Sequence, residues 1–178
     1  MDENKEQKEF WNDLKGELWV ELQARIDPML SVFDQKLFEV LEAQSGERAL
    51  EIGCGTGTTT LKMSECLGPS GSIHAVDFSR PMICRAQERA SEASVDHADF
   101  VEADAQEYDY PSGEFDLAYS RFGVMFFQDP VKAFSKIRNA MKTGGRLGYI
   151  CWADKSKNPW ISEPAQLAKV FLELPKPP

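Results

Sequence analysis

Leu50-Glu51-Ile52-Gly53-Cys54-Gly55-Thr56-Gly57 places three glycines at alternate positions between two segments of different periodicity. Residues 48–52 form a short apolar run that predicts a strand, and residues 58–67 are predicted to form a helix. Glycines let the backbone turn tightly and approach a ligand closely. Because the first turn of the helix would offer N–H groups to a carboxylate or a phosphate, the pattern predicts a ligand-binding turn.

Strands and helices are predicted to alternate along the following residues. Further strands are expected at residues 72–76, 99–102, 115–119 and 146–152. Ser79 is expected to cap a helix that runs to about residue 93, and Asp129 to cap a helix with a buried stripe of Phe134, Ile137 and Met141. This alternation predicts an α/β fold, with a doubly wound, mostly parallel sheet of about five strands and helices on both faces.

The chain divides into three predicted segments. Residues 1–45 are expected to form two helices, with a break at Pro28 and an end at Gly46. Residues 46–153 form the α/β core, and residues 154–178 contain a weaker helix, at about 160–172, and a tail. The apolar positions of the two N-terminal helices recur at three- and four-residue steps: Phe10, Trp11, Leu14, Leu18 and Leu22, then Leu30, Phe33, Leu37, Val40 and Leu41.

Composition narrows the classes of partner. The net charge of −9 and the scattered Lys and Arg side chains argue against nucleic acid. Apolar stretches are too short to span a membrane, and residues 1–5 have no apolar signal core, so a cytoplasmic location is expected. The cysteines have no metal-ligand spacing and are interpreted as reduced, mostly buried thiols: Cys54, Cys66, Cys84 and Cys151.

Asp77 ends the predicted second strand, 20 residues after Gly57 (77 minus 57). A carboxylate at that place commonly accepts from ribose hydroxyls, although Asp77 can also be a helix-entry residue and the glycines can serve only a tight turn. The glycine spacing is Gly-x-Gly-x-Gly, and the position where a dinucleotide site has its third glycine is Thr58. A nicotinamide-dependent reductase is therefore disfavoured.

Several motifs together resemble the class I S-adenosylmethionine (SAM)-dependent methyltransferases. They are residues 50–57, Val76-Asp77-Phe78-Ser79, Ala103-Asp104-Ala105, residues 115–120 and Met141-Lys142-Thr143-Gly144-Gly145, where Thr143 replaces the usual proline. The resemblance covers residues 48–152. Trp11-Asn12, residues 16–20 and residues 120–127 also resemble a bacterial-type branch that methylates small molecules. This family implies a Rossmann-like fold and SAM as cofactor, with S-adenosylhomocysteine as product.

For the methionine end of the cofactor, the resemblance implies the backbone of Gly53, Cys54 and Gly55. Glu51 is expected to orient this turn and to meet the ammonium group, directly or through water. The backbone carbonyl of Ser120 is expected near the same amine.

For the nucleoside end, the resemblance implies Asp77 on the ribose hydroxyls and Phe78 on the adenine. Asp104 would accept from the adenine amino group beside the N–H of Ala105, and Trp11 would belong to an N-terminal lid over the cofactor. Phe78 and Trp11 can equally be packing residues.

The residues that would bind the methyl acceptor are less clearly indicated by the sequence. Arg121 is either a residue of the active-site mouth or the partner in a surface ion pair. Phe122, Met125, Phe126 and Phe127 can line an apolar acceptor pocket, but we favour a core position for most of them. The expected acceptor is a small, partly apolar metabolite, and no catalytic base is assigned among the possible residues Tyr119, His97 and Asp129. His74 and His97 have no metal partner at useful spacing, so both are interpreted as structural and no metal is expected.

The family sheet normally has seven strands, of which this sequence provides about five. An exposed fifth strand would invite pairing, so the chain is part of a longer protein, covers that edge with residues 153–178, or forms a homodimer through it. We expect the homodimer. The alternative function is a truncated SAM-binding module without turnover.

Overall fold

The computed structural model describes residues 4–168, and its centre is one parallel sheet of five strands in the order β3-β2-β1-β4-β5. The strands are β1 (Arg48–Ile52), β2 (Ser72–Asp77), β3 (Ala98–Glu102), β4 (Phe115–Arg121) and β5 (Met141–Ile150). The α-helices are α1 (Lys5–Asn12), α2 (Leu14–Leu41), α3 (Thr58–Leu67), α4 (Arg80–Glu92), α5 (Pro130–Ala140) and α6 (Pro159–Ala168). The predicted fold class, a doubly wound Rossmann-like sheet, is confirmed.

β1 lies in the middle of the sheet, with β2 in parallel register on one side and β4 on the other. The chain moves outward from β1 to β3 and then returns to start β4, so the strand order reverses beside β1. Ligands of such sheets bind beyond the carboxyl ends of the strands at this reversal. The Gly-rich turn follows β1 at this place.

Helices cover both faces of the sheet. Helices α2, α3 and α4 pack on one face, where Leu37, Met63 and Ile83 share a cluster with the inward side chains of the strands. Helix α5 packs on the other face through Ile137 and Ala140. Burial of these apolar side chains from both directions is what stabilises an all-parallel sheet.

The predicted break at Pro28 is wrong, since the chain breaks at Asp13 and α2 continues through Pro28. Pro28 has no N–H and removes one helical hydrogen bond. Tertiary ion pairs on both sides of Pro28 keep the helix continuous: Asp27 contacts Arg89 of α4, and Asp34 contacts Arg121 of β4. Sequence periodicity does not reveal these long-range partners.

The predicted apolar faces of the N-terminal helices are only partly buried. Leu37 and Leu41 are in the core, but Leu14, Leu18 and Val40 are exposed. Leu14 and Leu18 are exposed because α1 and the first half of α2 lie over the cleft described below and not over the sheet. Val40 lies in the half of α2 that packs on the sheet, and its side chain is on the solvent side of that helix.

Three further details differ from prediction. The Ser79 hydroxyl donates to the carbonyl of Trp11 and makes no capping hydrogen bond, whereas Asp129 caps α5 as predicted by accepting from the N–H of Lys132. Strand β5 begins at Met141, with a register shift opposite Phe115, and ends at Ile150. Only Cys54 is buried; the other cysteines are exposed, on the outer sides of α3 and α4 and after the edge strand.

β5 forms one edge of the sheet, and its Leu147 and Tyr149 are exposed. Pairing of two chains through this edge stays a prediction. The predicted last helix corresponds to α6, and its predicted end and the tail, residues 169–178, lie outside the described part of the chain. None of the helices of residues 4–168 combines the length and apolarity that crossing a lipid bilayer requires.

Candidate functional site

A cleft of about 220 Å³ opens at the carboxyl ends of the strands, where the strand order reverses. Its walls contain eight of the ten cofactor residues that the sequence predicts: Trp11, Gly53, Cys54, Gly55, Asp77, Phe78, Asp104 and Ala105. They come from α1, the Gly-rich turn and the ends of β2 and β3. Glu51 and Ser120 are not in its walls.

The Gly-rich turn presents bare backbone to the cleft. Gly53, Gly55 and Gly57 all have positive φ, and the N–H of Gly53 donates to the carbonyl of Val76 at 2.8 Å. A Cβ atom on Gly53 would lie 2.8 Å from Cα of Gly123, so a side chain there would push the turn away from the end of β4. Gly123 is a requirement of this site to which the sequence analysis gave no role.

Asp77 joins the turn to the end of β2. Its two carboxylate oxygens accept from the backbone N–H groups of Gly55 and Ser79, each at 2.8 Å. Burial raises the pKa of Asp77 above its ordinary value, and the two backbone hydrogen bonds oppose that rise. Each oxygen keeps a second lone pair with which it can accept from a ligand hydroxyl.

Asp104 lies at the other end of the cleft and is buried. Its Oδ1 accepts from the N–H of Gln106 at 3.0 Å. Its Oδ2 has no hydrogen-bond partner among residues 4–168, although Lys8 Nζ is 3.5 Å away. A buried acceptor without a donor is costly, so this oxygen is suited to a ligand N–H. The nearby Phe78 and Ala105 complete an apolar wall.

Glu51 lies under the turn. Its carboxylate accepts from the hydroxyls of Thr59, Thr60 and Tyr119, and the residue is fully buried. Burial is the dominant effect and raises the pKa of Glu51 to about 7. In this position Glu51 joins α3 to β4 and does not face the cleft. Its role in orienting the turn and its contact with the cofactor amine stay predictions.

Ser120 is also buried. Its hydroxyl donates to the carbonyl of Ile52 at 2.7 Å and accepts from the N–H groups of Gly123 and Val124 at 3.1 and 3.2 Å. The side chain therefore holds the end of β1 against the loop after β4, which is the loop that Gly53 approaches.

Helix α1 covers the nucleoside end of the cleft. Asn12 donates to the carbonyl of Phe78 at 2.8 Å and accepts from the N–H of Arg80 at 2.9 Å. The Trp11 ring contacts those of Trp19 and Phe126, with 5.6 Å between centroids in each pair. Trp11 was predicted to belong to a lid, whereas no role was predicted for Asn12, because its partners are backbone atoms.

Two ion pairs, one buried and one partly buried, join α2 to the site. Arg121 Nη1 lies 2.8 Å from Asp34 Oδ1, and Arg121 lines the cleft, which agrees with the interpretation that places it at the active-site mouth. Its ion pair is buried, so the other interpretation, a surface ion pair, is wrong. Arg89 Nη2 lies 3.0 Å from Asp27 Oδ2, and its Nη1 donates to the carbonyl of Thr56 in the turn at 2.8 Å. Asp27, Asp34 and Arg89 were not predicted, because nothing in their local sequence distinguishes them from solvent-exposed helix residues.

The mouth of the cleft is aromatic. Phe122 and Trp152 stack with centroids 4.4 Å apart and an interplanar angle of 13°, and Phe33 meets both edge-on. Phe122 has φ +63, which is uncommon for a side-chain-bearing residue. The run that we favoured as core lines the cleft instead, since Met125 and Phe126 are in its wall; Phe127 both lines it and packs on Phe134.

The residues considered as bases lie elsewhere. Tyr119 is buried against Glu51, Asp129 caps α5, and His97 is not in the cleft wall.

His74 pairs with Asp99 at 3.0 Å, in keeping with a structural role. Within residues 4–168 no group of His, Cys, Asp and Glu is arranged to hold a metal ion. The exposed backbone of the turn, the two carboxylate oxygens of Asp77 and Asp104 Oδ2, which accepts no hydrogen bond within residues 4–168, fit the amino-acid, ribose and adenine parts of SAM.

Comparisons with known proteins agree with this geometry. Residues 49–145 match the family described as "Methyltransferase domain". The aklanonic acid methyltransferase of Streptomyces sp. (strain C5) is 30% identical over 115 residues, which are 65% of this chain and 52% of that protein. The demethylmenaquinone methyltransferase of Listeria monocytogenes serotype 4a is 27% identical over 158 residues, which are 84% of this chain and 64% of that protein.

Among solved structures, geranyl diphosphate C-methyltransferase from Streptomyces coelicolor A3(2) has the same fold, with a TM-score of 0.72. It is 18% identical, and the match covers 95% of this chain and 73% of that one. The chain thus spans between about half and two thirds of the length of the two curated relatives.

Proposed function

The chain belongs to the methyltransferase domain family, as a class I SAM-dependent member, and from this premise we propose that it transfers a methyl group from SAM to a small, partly apolar metabolite. The observation that carries the proposal is the convergence of predicted cofactor residues from α1, the Gly-rich turn, β2 and β3 on one cleft. The two relatives are named for aklanonic acid and demethylmenaquinone, and we extend only the class of small-molecule acceptor to this chain.

In the proposed site the backbone of Gly53, Cys54 and Gly55 holds the methionine part of the cofactor. Glu51 keeps the turn in place through Thr59 and Thr60. The amine of the cofactor meets backbone at the end of β4, near Ser120.

The nucleoside part lies between β2, β3 and α1. Asp77 accepts from the ribose hydroxyls with the lone pairs that Gly55 and Ser79 leave open. Asp104 Oδ2 accepts from the adenine amino group beside the N–H of Ala105, and Phe78 packs on the ring.

When bound, SAM supplies an electrophilic methyl group on a positively charged sulfur. The protein's contribution is to hold an acceptor in line with that group and to exclude water, which can lower a barrier by roughly 7–11 kcal/mol. Trp11, Trp19 and Phe126 exclude water from one side, and Phe122 and Trp152 from the other.

Calorimetry with S-adenosylhomocysteine, SAM and NAD⁺ tests the cofactor assignment. We expect the first two to bind and NAD⁺ not to bind; preferential binding of NAD⁺ would overturn the proposal. Transfer of a labelled methyl group from SAM to a panel of phenols, quinols and aryl carboxylates tests the activity. Cofactor binding without label transfer to any of them would favour the alternative, a SAM-binding module without turnover.

A further inference from the structure

Arg121 brings a positive charge into an otherwise apolar part of the cleft. Its side chain is 10% exposed and lines the cleft at the end of β4, directly before Phe122. Only Nη1 is engaged among residues 4–168, by Asp34 Oδ1 at 2.8 Å. A guanidinium has five N–H donors in a planar fork, so Arg121 keeps donors for a ligand.

The local charges do not cancel. Asp34 is 2% exposed, and its other oxygen, Oδ2, lies 2.6 Å from Lys62 Nζ. One carboxylate therefore faces two cations, of which Lys62 is 41% exposed, so Asp34 alone does not neutralise Arg121. The Glu51 carboxyl also acts on Arg121, but burial raises the pKa of Glu51 to about 7 and so weakens its negative charge near neutral pH. Since Asp34 is shared, the pair holds Arg121 in place without neutralising it.

The neighbouring wall is aromatic. Phe122 and Trp152 are stacked nearly parallel, and Phe33 closes the group edge-on. Aromatic side chains bind planar apolar groups by stacking and edge contacts. Together with Arg121 they combine an apolar planar surface with one fixed cation.

Few of the described side chains near Arg121 and Phe122 could act as a general base. Among the described residues that line the cleft, the carboxylates are Asp77 and Asp104, and both are placed at the nucleoside end. The thiol of Cys54 has its pKa raised by burial, which keeps it protonated. An acceptor that had to lose a proton in the site would find no base beside it within residues 4–168.

We propose that the acceptor binds as a planar, apolar anion, a phenolate, enolate or aryl carboxylate, whose ionised oxygen is recognised by Arg121 and whose rings lie on Phe122 and Trp152. This inference rests on the proposed function and adds its substrate class. An anionic acceptor brings its own electron pair: that pair forms the bond to the methyl carbon, the carbon–sulfur bond breaks, and its electrons stay on sulfur. No proton is released, so the site needs no base.

The test uses 2-naphthoate and its neutral isostere 2-naphthamide as probes, titrated into the protein saturated with S-adenosylhomocysteine. We expect naphthoate to bind roughly 10- to 100-fold more tightly than the amide, the range of a hydrogen bond to a charged group. Arg121→Gln should remove this preference and leave naphthamide binding unchanged. Arg138→Gln, an exposed substitution on α5 with the same change of charge, is the matched control.

If Arg121 has only a structural role, Arg121→Gln should weaken the binding of both probes by the same factor. An equal loss for both probes would overturn the inference. So would equal affinity of the wild-type protein for the two probes, or a failure of naphthoate to bind. If Arg121→Gln does not fold, Asp34→Asn provides the second test, since it keeps the guanidinium and removes its partner. The anion preference should then persist or increase, and its loss would contradict the inference. Failure of S-adenosylhomocysteine to bind at all is the separate result that refutes the proposed function.

Discussion

Asn12 Nδ2 lies 2.8 Å from the carbonyl oxygen of Phe78, which joins the end of α1 to the residue directly after β2. The same amide accepts from the N–H of Arg80 at 2.9 Å, so one side chain meets a donor and an acceptor of the turn that begins α4. This pair holds α1 across the nucleoside end of the cleft. We expect α1 to move when the cofactor enters or leaves at this end.

Asn12→Ala should therefore weaken the closed position of α1. The two hydrogen bonds that join α1 to the start of α4 are lost, together with one to the Lys8 carbonyl within α1, at an exposed site where each is worth at most about 1 kcal/mol. We expect faster release of S-adenosylhomocysteine in stopped-flow displacement, by roughly 10-fold. Asn139→Ala, an exposed change on α5, is the control; equal release rates in the two variants would show that α1 does not retain the ligand.

Asp77→Ala removes the proposed ribose contacts. We expect the affinity for S-adenosylhomocysteine to fall by about 2–3 kcal/mol in calorimetry, because hydrogen bonds to a charged group are lost. The N–H groups of Gly55 and Ser79 also lose their acceptor, so thermal unfolding should be measured on the same sample. Asp96→Ala, at an exposed site, serves as the control. Unchanged affinity in the Asp77 variant would exclude Asp77 from the cofactor site.

The burial of Glu51 should make the free energy of unfolding depend on pH. Its pKa is raised by burial to about 7 in the folded chain, from 4.5. The folded state thus binds the proton more tightly than the unfolded state. The stabilising contribution is complete below about pH 4.5 and is lost as the pH rises to about 7, on the order of 3 kcal/mol.

The measurement is urea unfolding of the wild-type protein and Glu51→Gln at about pH 5 and about pH 8. Relative to wild type, the variant should become more stable as the pH rises, whatever its constant offset from altered bonds to Thr59, Thr60 and Tyr119. Parallel curves for the two proteins would mean that Glu51 is ionised in the folded state throughout this range.

Arg89 couples α2 to the Gly-rich turn. It pairs with Asp27 and donates to the carbonyl of Thr56 and the hydroxyl of Thr58, which itself donates to Asp27 at 2.7 Å. Arg89→Gln leaves a mostly buried Asp27 carboxylate without its cation. We expect a loss of about 2 kcal/mol in unfolding free energy and weaker cofactor binding, since the turn is less restrained.

A double-mutant cycle with Asp27→Asn separates the pair from its surroundings. If the two side chains act together, the double variant should lose much less than the sum of the single losses. Additive losses would show that Arg89 and Asp27 contribute independently. Arg85→Gln, on the same helix but with exposed partners Glu88 and Glu92, is the matched control and should change stability little.

Much of the fold could be predicted because its determinants are local. The β1 strand, the glycines and α3 follow one another within 20 residues. The predicted ranges of β1 and α3, residues 48–52 and 58–67, agree with the structure. Asp129 and Pro130 likewise begin α5 as predicted. Failures occurred where distant contacts override local preference, as at Pro28, where ion pairs to α4 and β4 keep the helix continuous.

The sequence by itself determined the doubly wound sheet, the Gly-rich turn at its reversal and the acids that follow β2 and β3, because these depend on periodicity and on residues adjacent in the chain. Only the tertiary structure decided that Glu51 lies beneath the turn, that Asn12 holds α1 over the cleft, and that Asp34 fixes Arg121 beside Phe122 and Trp152. The hydrogen bonds among these relationships join residues that are 66 to 87 positions apart in the chain, and the aromatic group at Phe122 combines rings from three separate parts of the chain. Packing of α2 and of the β4 loop on the sheet brings such residues together, and no local pattern encodes that packing.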